Sequence, residues 1–294
     1  MSESRSILVR VGERILHVLR GGADQGVALV FHWGTPSPPV RWDSLSAAAR
    51  QRGLRLISYA RPGYSRSTRD RGRSVADGAA DTAVVLDALG AGEFVAVGHS
   101  GGGPHALACA ALLADRCLAA VSVAGLAPFD ADDIDWMAGM DDESVEEHTT
   151  ALTGEAALDS YLQQSAESLS AVTADEIAVL FPEVDRIALT EELADVVARS
   201  LRLGVAEGID GWLDDELAFV KPWGFDLGLI RVPVAVWHGR DDRMVPLAHG
   251  EWLHTHVATS RSRFLEDEGH VSLLANQLGG ILNDLVEMSQ TGDT

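Results

Sequence analysis

The sequence predicts an α/β fold in which helices cover both faces of a mainly parallel sheet and a helical segment is inserted between two strands. Short runs of consecutive apolar residues, typical of strands buried on both faces, alternate with longer segments whose apolar residues recur at helical spacing. Strands that alternate with helices need crossover connections, and such connections make neighbouring strands parallel. The alternation stops in one central segment, which shows helical patterns alone.

The predicted elements follow one another from the amino end. Residues 7–11 and 15–19 flank a polar turn and predict an antiparallel hairpin. The later runs predicted as strands comprise residues 27–31, 54–59, 94–97, 118–123, 232–237 and 262–265. The segments predicted as helices around this sheet comprise residues 44–52, 74–89, 104–114 and 271–287. Gly90, directly after the second of these helices, is typical of a helix end.

The central segment also differs from the rest of the chain in charge. Residues 128–225 hold 24 acidic and 4 basic residues and carry a net charge of −20, out of −21 for all 294 residues. A contiguous block with its own charge and its own secondary structure is typical of a separate unit. We therefore divide the chain into an α/β core, residues 1–127 and 226–294, and an acidic helical cap, residues 128–225. The acids of the cap are expected to form a solvated surface.

The composition limits the partners and the location of the protein. A strongly negative surface repels nucleic acid and anionic lipid, so we expect neither nucleic acid nor a membrane as a partner. No stretch approaches the roughly 18 uncharged apolar residues of a membrane helix, and the first residues lack the apolar core of a signal peptide. Cys109 and Cys117 lack metal-ligand spacing and indicate buried thiols in a reduced, cytoplasmic protein. We expect no metal site and no cofactor, and the oligomeric state is not predicted.

Ser100 stands at the centre of residues 98–102, Gly-His-Ser-Gly-Gly, between a predicted buried strand and a predicted helix. In a turn this tight, side chains two positions before and after the serine would collide, and glycines occupy both positions. The serine is held clear of the backbone as a nucleophile, and free N–H groups of the following helix face it. The pattern predicts Ser100 as a catalytic nucleophile and the N–H of Gly101 as a donor to an oxyanion.

With these features the chain resembles the α/β-hydrolase superfamily, in the branch with a serine nucleophile and a helical cap. The resemblance covers nearly the whole chain outside the cap and includes two further loops. Residues 31–36, Phe-His-Trp-Gly-Thr-Pro, are similar to the family's oxyanion loop, with Trp33 in place of a second histidine. Residues 61–67, Arg-Pro-Gly-Tyr-Ser-Arg-Ser, are similar to its Arg-Pro-Gly-x-Gly-x-Ser loop. The resemblance implies the N–H of Thr35 as the second oxyanion donor, with Trp33 as an alternative.

The resemblance also implies a base and an acid for the serine. His270 comes after the last predicted strand, like the histidine of the family's Gly-His motif, and is the implied base. Residues 238–246, His-Gly-Arg-Asp-Asp-Arg-Met-Val-Pro, resemble Gly-x-x-Asp-x-x-Val-Pro, which implies Asp242 as the acid. The resulting chain order of serine, acid and histidine is that of the family. Asp241, the adjacent residue, and Asp130, after the preceding strand, stay open as alternatives for the acid.

These residues predict hydrolysis of a small or medium carboxylic ester through an acyl-enzyme intermediate, with the small ester as the only expected partner. Trp33, Trp136 and Met140 are predicted to contribute to an apolar substrate pocket, although aromatic residues between a cap and a core often serve packing alone. In the family that the chain resembles, C–C bond hydrolases, proline-releasing aminopeptidases and cofactor-free peroxidases share the same catalytic groups. A ligand receptor without catalysis is an alternative of a different class.

Overall fold

The strands form a single sheet in the computed structural model, which describes residues 5–291. The strands in that range are β1 Arg5–Val11, β2 Arg14–Gly22, β3 Ala28–His32, β4 Arg55–Tyr59, β5 Phe94–His99, β6 Cys117–Val123, β7 Val234–Gly239 and β8 Ser260–Leu265. Their order across the sheet is β1-β2-β4-β3-β5-β6-β7-β8. β2 is antiparallel to β1 and β4, and the other neighbouring pairs are parallel. The prediction of a hairpin that leads into a mainly parallel sheet is confirmed.

Helices cover this sheet on both faces, as predicted. The helices of the core are α1 Asp43–Gln51, α2 Asp77–Ala88, α3 Gly102–Leu112, α10 Leu247–His256 and α11 Ser272–Thr291. Successive side chains of a strand point to opposite faces, and along β3 Val30 joins the core cluster with α2, α3 and α10, whereas Phe31 joins the cluster with α1 and α11. Every residue of β3 is buried, which explains its continuous apolar sequence.

The cap consists of helices in the part of the chain that the structure describes. Between β6 and β7 these are α4 Asp142–Thr153, α5 Glu155–Leu169, α6 Ala174–Leu180, α7 Glu183–Ala188, α8 Glu191–Val205 and α9 Asp210–Phe219, followed by one 3-10 turn, Leu227–Leu229. The cap has a core of its own, in which Leu158, Leu162 and Trp212 pack with Tyr64 from the loop after β4. The division of the chain at residues 128 and 225 stays a prediction. None of the described helices is long and apolar enough to cross a membrane.

The sheet brings distant parts of the sequence to one edge. Five neighbouring strands of the sheet are parallel, and they pair in the order β3, β5, β6, β7 and β8. Their carboxyl ends therefore lie side by side. The loops that leave these ends contain Trp33 after β3, Ser100 after β5, Asp242 after β7 and His270 after β8. In open α/β sheets, this edge is where ligands bind. The fold therefore gathers the predicted site residues of four separate loops.

We expect truncation of Leu107, in the helix that follows Ser100, to lower stability strongly. Leu107 is fully buried in α3 and belongs to the core cluster, whereas Leu112, at the end of the same helix, is 42% exposed. Leu107→Ala removes buried methyl groups and leaves a cavity, which lowers the free energy of unfolding by about 3 kcal/mol. Leu112→Ala is the matched control and should change it by less than about 0.5 kcal/mol. Urea unfolding followed by tryptophan fluorescence measures both, and equal losses would contradict this packing.

Candidate active site

The turn at Ser100 has the geometry that its glycines predict. Ser100 has a φ of 54°, a left-handed conformation that costs a non-glycine residue energy. A Cβ at Gly98 would lie 2.0 Å from the Gly102 carbonyl oxygen, and a Cβ at Gly102 would lie 2.1 Å from the His32 carbonyl oxygen. Only glycine fits at either position. The Ser100 N–H donates to the Val123 carbonyl oxygen at 2.9 Å, which ties the turn to the end of β6.

His270 and Asp242 form a buried pair in the structure. The distance between His270 Nδ1 and Asp242 Oδ2 is 2.8 Å, and both residues are 3% exposed. Asp242 Oδ1 accepts hydrogen bonds from the backbone N–H groups of Met244 at 3.0 Å and Val245 at 2.9 Å. Both carboxylate oxygens are therefore occupied. The loop after β7 fixes the carboxylate, and the carboxylate fixes the imidazole ring.

The pair favours a charged Asp242 beside a histidine that readily accepts a proton. Burial acts to raise the pKa of Asp242, but the charge and hydrogen bond of His270 outweigh it, so that the pKa is lowered. Burial acts to lower the pKa of His270, but the charge and hydrogen bond of Asp242 outweigh it, so that the pKa is raised. An imidazole of raised basicity next to a serine is suited to act as a general base.

The alternative acids lie elsewhere. The side chain of Asp241 is exposed, and its backbone N–H donates to the Glu268 carbonyl oxygen. Asp130 is also exposed and borders a groove between Trp223 and Trp252. Of the three predicted carboxylates, Asp242 is the one that the structure places against the His270 ring.

Ser100 and His270 border the same pocket. Its volume is about 110 Å³, and its lining is mostly apolar. The residues around it include Phe31, Trp33, Gly34, Thr35, Ser37, Trp42, His99, Ser100, Phe181, Leu193, Val196, Val197, Ser200, Leu201, Met244, His270, Val271 and Leu274. Among residues 5–291 the Ser100 hydroxyl has no hydrogen-bond partner, and catalytic hydrogen bonds often form only when substrate is bound. The hydroxyl faces a space that an apolar group fits.

The structure corrects part of the predicted pocket. Trp33 lines it, but Trp136 and Met140 do not. Trp136 donates from Nε1 to the Ala127 carbonyl oxygen at 2.8 Å and packs its ring edge to face against His148 and other rings. Met140 is buried in the same apolar cluster. Both side chains therefore serve the packing of cap against core, because apolar residues at that seam bury surface whether or not a ligand is present.

The loop after β3 lies against the serine turn. A Cβ at Gly34 would lie 3.2 Å from Ser100 Cβ, and a Cβ at Gly101 would lie 2.6 Å from Thr35 Oγ1. The predicted oxyanion donors Gly101 and Thr35 are thus on neighbouring segments. The spacing is tight for a side chain at Gly34, and a side chain at Gly101 would require Thr35 or Phe219 to shift.

Sequence reasoning missed the group that holds this loop, a buried arginine. Arg61 donates from Nη1 to the Trp33 carbonyl oxygen at 2.5 Å and from Nη2 to the Gly34 carbonyl oxygen at 2.8 Å. Asp215 of cap helix α9 accepts from Arg61 at 2.5 Å and from Thr35 Oγ1 at 2.9 Å. The sequence offered one signal, an arginine directly after a buried strand, but no sign of its partner.

Asp215 is charged in this setting. Its Oδ1 lies 2.6 Å from Arg73 Nη2, and the Tyr64 hydroxyl donates to its Oδ2 at 2.9 Å. Burial acts to raise the pKa of Asp215, but the charges of Arg61 and Arg73 lower it well below its usual range. A carboxylate between two guanidinium groups is therefore ionised at neutral pH.

In the part of the chain that the structure describes, the side chains most able to bind metals are not grouped as metal ligands. Cys109 and Cys117 are buried and unbridged, and burial raises the pKa of the Cys109 thiol to about 12. Across residues 5–291 no three histidine, cysteine, aspartate or glutamate side chains are grouped so that they could hold a metal ion.

Known proteins with similar sequences and structures share this fold. A non-heme haloperoxidase from Rhodococcus erythropolis is 28% identical over 231 residues, covering 76% of this chain and 78% of that protein. A bifunctional esterase/perhydrolase from Acinetobacter calcoaceticus is 28% identical over 228 residues, with the same coverage of 76% and 78%. The crystal structure of a bromoperoxidase from Bacillus anthracis matches with a TM-score of 0.75 at 18% identity, covering 96% of this chain and 100% of that one.

The family of the chain is shown by a sequence match that covers most of its length. The sequence model of the family described as alpha/beta hydrolase fold matches residues 27–277, which is most of the chain. That range includes the serine turn, the loop after β3 and the buried His270–Asp242 pair. The resemblance seen in the motifs is confirmed, and the chain belongs to the alpha/beta-hydrolase family.

Proposed function

We propose that this chain hydrolyses small or medium carboxylic esters with Ser100 as nucleophile, His270 as base and Asp242 as acid. The observation that carries the proposal is the buried His270–Asp242 pair on the same pocket as Ser100. A histidine held by a carboxylate beside a strained, glycine-flanked serine is the arrangement that acyl transfer needs.

The mechanism follows from the hydrogen bonds. Asp242 accepts from His270 Nδ1, so the proton of the neutral ring resides on Nδ1 and Nε2 is free to take the proton of Ser100. The Ser100 oxygen then attacks the ester carbonyl carbon, and His270 returns its proton to the leaving alcohol. Water activated by the same Nε2 opens the acyl-enzyme, which releases the acid and restores Ser100.

Arg61 supports the assignment of Thr35 as second oxyanion donor. The C=O and N–H of a trans peptide point in opposite directions. Arg61 binds the carbonyl of Gly34, so the N–H of the same peptide, that of Thr35, points away from Arg61. The His32 carbonyl lies against the serine turn at Gly102, which directs the N–H of Trp33 away from it. Of the two predicted donors, Thr35 is the one we propose, together with Gly101 at the start of α3.

The volume and lining of the pocket favour an ester with a short apolar acyl group. Its volume of about 110 Å³ is smaller than a cavity of roughly 150 Å³ that holds benzene. Trp33, Phe181 and Leu274 are among its apolar lining residues. An ester with a few acyl carbons fits this space without rearrangement.

A second candidate is transfer of the same acyl group to hydrogen peroxide. The Acinetobacter relative is named an esterase/perhydrolase, and the Rhodococcus relative a haloperoxidase. Hydrogen peroxide in place of water would attack the acyl-enzyme, form a peracid and return the proton to Ser100 through His270. Both reactions use one acyl-enzyme, so they are compared in one assay with and without peroxide.

We expect a fluorophosphonate reagent to label Ser100. Peptide mapping locates the label, and p-nitrophenyl esters of increasing acyl length measure turnover. Ser100→Ala should abolish labelling, and His270→Ala should lower kcat by at least about 10⁴-fold, because the serine loses its base. Best turnover is expected with the shortest acyl chains. Label at another residue, or full turnover by Ser100→Ala, would contradict the proposal.

Two adjacent aspartates give a matched test of the acid. Asp242→Asn should lower kcat by about 10⁴-fold, because an amide at this position favours the wrong tautomer of the His270 ring. Asp241→Asn should leave kcat nearly unchanged, because this side chain is exposed. The same ester assay compares them. The opposite result would identify Asp241 as the catalytic acid.

The hydroxyl of Thr35 allows a test of the oxyanion loop that keeps its backbone N–H. Thr35→Val removes the bond to Asp215, and we expect the loosened loop to lower kcat about tenfold with little change in KM. Thr35→Ser keeps the hydroxyl and should retain most of the activity. Steady-state kinetics with p-nitrophenyl acetate distinguish the variants, and equal kcat values for Thr35→Val and the wild type would refute the role of this contact.

A further inference from the structure

One carboxylate of the cap reaches the backbone of the proposed base. Asp185 lies in α7 and is 2% exposed. Its Oδ2 accepts from the N–H of His270 at 3.2 Å, and its Oδ1 accepts from the N–H groups of Val271 at 2.8 Å and Ser272 at 2.7 Å. A single side chain thus binds three consecutive N–H groups that begin at His270.

Ser272 is the first residue of helix α11, and His270 and Val271 are the two residues before it. The N–H groups at the start of a helix have no partner inside the helix. A residue near the helix start in sequence usually supplies the acceptor. Here it comes from Asp185, 85 residues before His270 and in the cap. A Cβ at Gly269 would lie 2.6 Å from Asp185 Oδ1, so the chain before the histidine approaches the carboxylate too closely for a side chain.

The same part of the cap borders the pocket. Phe181, two positions before α7 begins, lines the pocket beside Ser100 and His270. Val271, whose N–H binds Asp185, lines it as well. The segment that covers the pocket therefore also holds the backbone of the base.

We propose that Asp185 is a positioning residue for His270, and that docking of α7 on the core fixes the working orientation of this base. The inference rests on the proposed function, since it takes His270 as the base. In this inference the cap positions the base for proton transfer, in addition to shaping the pocket.

The charge of Asp185 acts on His270 together with its neighbours. The titratable groups near His270 include Asp242 from the loop after β7, Asp185 from α7, Asp141 at the start of α4, His99 at the end of β5 and His238 in β7. Burial lowers the pKa of His99 to about 3, so His99 is neutral. Against burial, the charges of Asp242, Asp185 and Asp141 raise the pKa of His270. Loss of the Asp185 charge must lower that pKa.

Asp185→Asn separates this role from a purely structural one. The amide keeps the shape but cannot accept on both sides, so the His270 backbone loosens, and we expect kcat on the pH plateau to fall about tenfold. With the carboxylate gone, His270 loses its proton at lower pH, and the acid limb of kcat/KM shifts to lower pH. A helix cap without a role in positioning would lower the unfolding temperature and leave this limb in place.

Two further variants complete the test. Glu183→Gln removes the same charge from the same helix at an exposed position and should match the wild type in kcat and in its pH limb. Asp185→Glu keeps the charge in a longer side chain, so the pH limb should return toward the wild type while kcat stays low. If Asp185→Asn and Glu183→Gln give the same kcat and the same pH limb, the inference is overturned.

A measurement without turnover separates this inference from the proposed function. NMR titration of the His270 ring, assigned with His270→Ala, reads its pKa in folded wild type and Asp185→Asn. A lower His270 pKa in the variant supports the inference, and an unchanged pKa overturns it, whether or not esters are hydrolysed. Absence of Ser100 labelling and of turnover in the wild type would instead overturn the proposed function.

Discussion

A buried carboxylate between two arginines joins the cap to the core, and the site depends on this contact. Asp215 of α9 binds Arg61 and Arg73, and Arg61 binds the carbonyl groups of the loop that follows β3. Removal of one partner from such a buried pair usually destabilises a protein by about 3–5 kcal/mol, because it leaves an uncompensated charge. The cap helix α9 is thus a structural part of the proposed oxyanion site.

The uneven distribution of charge along the chain also joins the cap to the core. The loop after β4 supplies Arg69 and Arg71 in addition to Arg61 and Arg73, and all four pair with cap acids. These pairs join Arg69 to Asp210 and Asp214, Arg71 to Glu155, and the other two to Asp215. The pairs Arg69–Asp210 and Arg71–Glu155 are partly exposed and contribute little individually, whereas Asp214 is buried and the Asp215 contact is fully buried. Repulsion within a cap of net charge −20 is relieved where the cap meets basic residues of the core.

Local patterns in the sequence predict the sheet and the serine turn, and the resemblance to the α/β-hydrolase family implies Asp242 and His270 in loops at the same edge. Apolar runs, glycine spacing and motif order are properties of neighbouring residues, and the fold assembles them through regular strand pairing. Asp185 and Asp215 escaped prediction because they look like the other cap acids, and their partners are far away in sequence. The sequence predicts Trp136 and Met140 in the pocket because an apolar residue of the cap has the same sequence pattern whether it packs against the core or binds a ligand. Whether such a residue packs against the core or lines the pocket depends on how the cap lies on the core.

Asp185 and Asp215, two of the buried carboxylates of the cap, differ in how firmly they bind the core. Asp215 is bound by two guanidinium groups, whereas the hydrogen bonds of Asp185 come from neutral backbone N–H groups. Hydrogen bonds between a charge and neutral donors contribute about 1.5–3 kcal/mol each, and a separated carboxylate on exposed α7 regains water, which offsets much of that. Asp215 cannot separate without leaving Arg61 and Arg73 unpaired in the interior. The contact of α7 is therefore the weaker of the two, and it is the one that supports the backbone of His270.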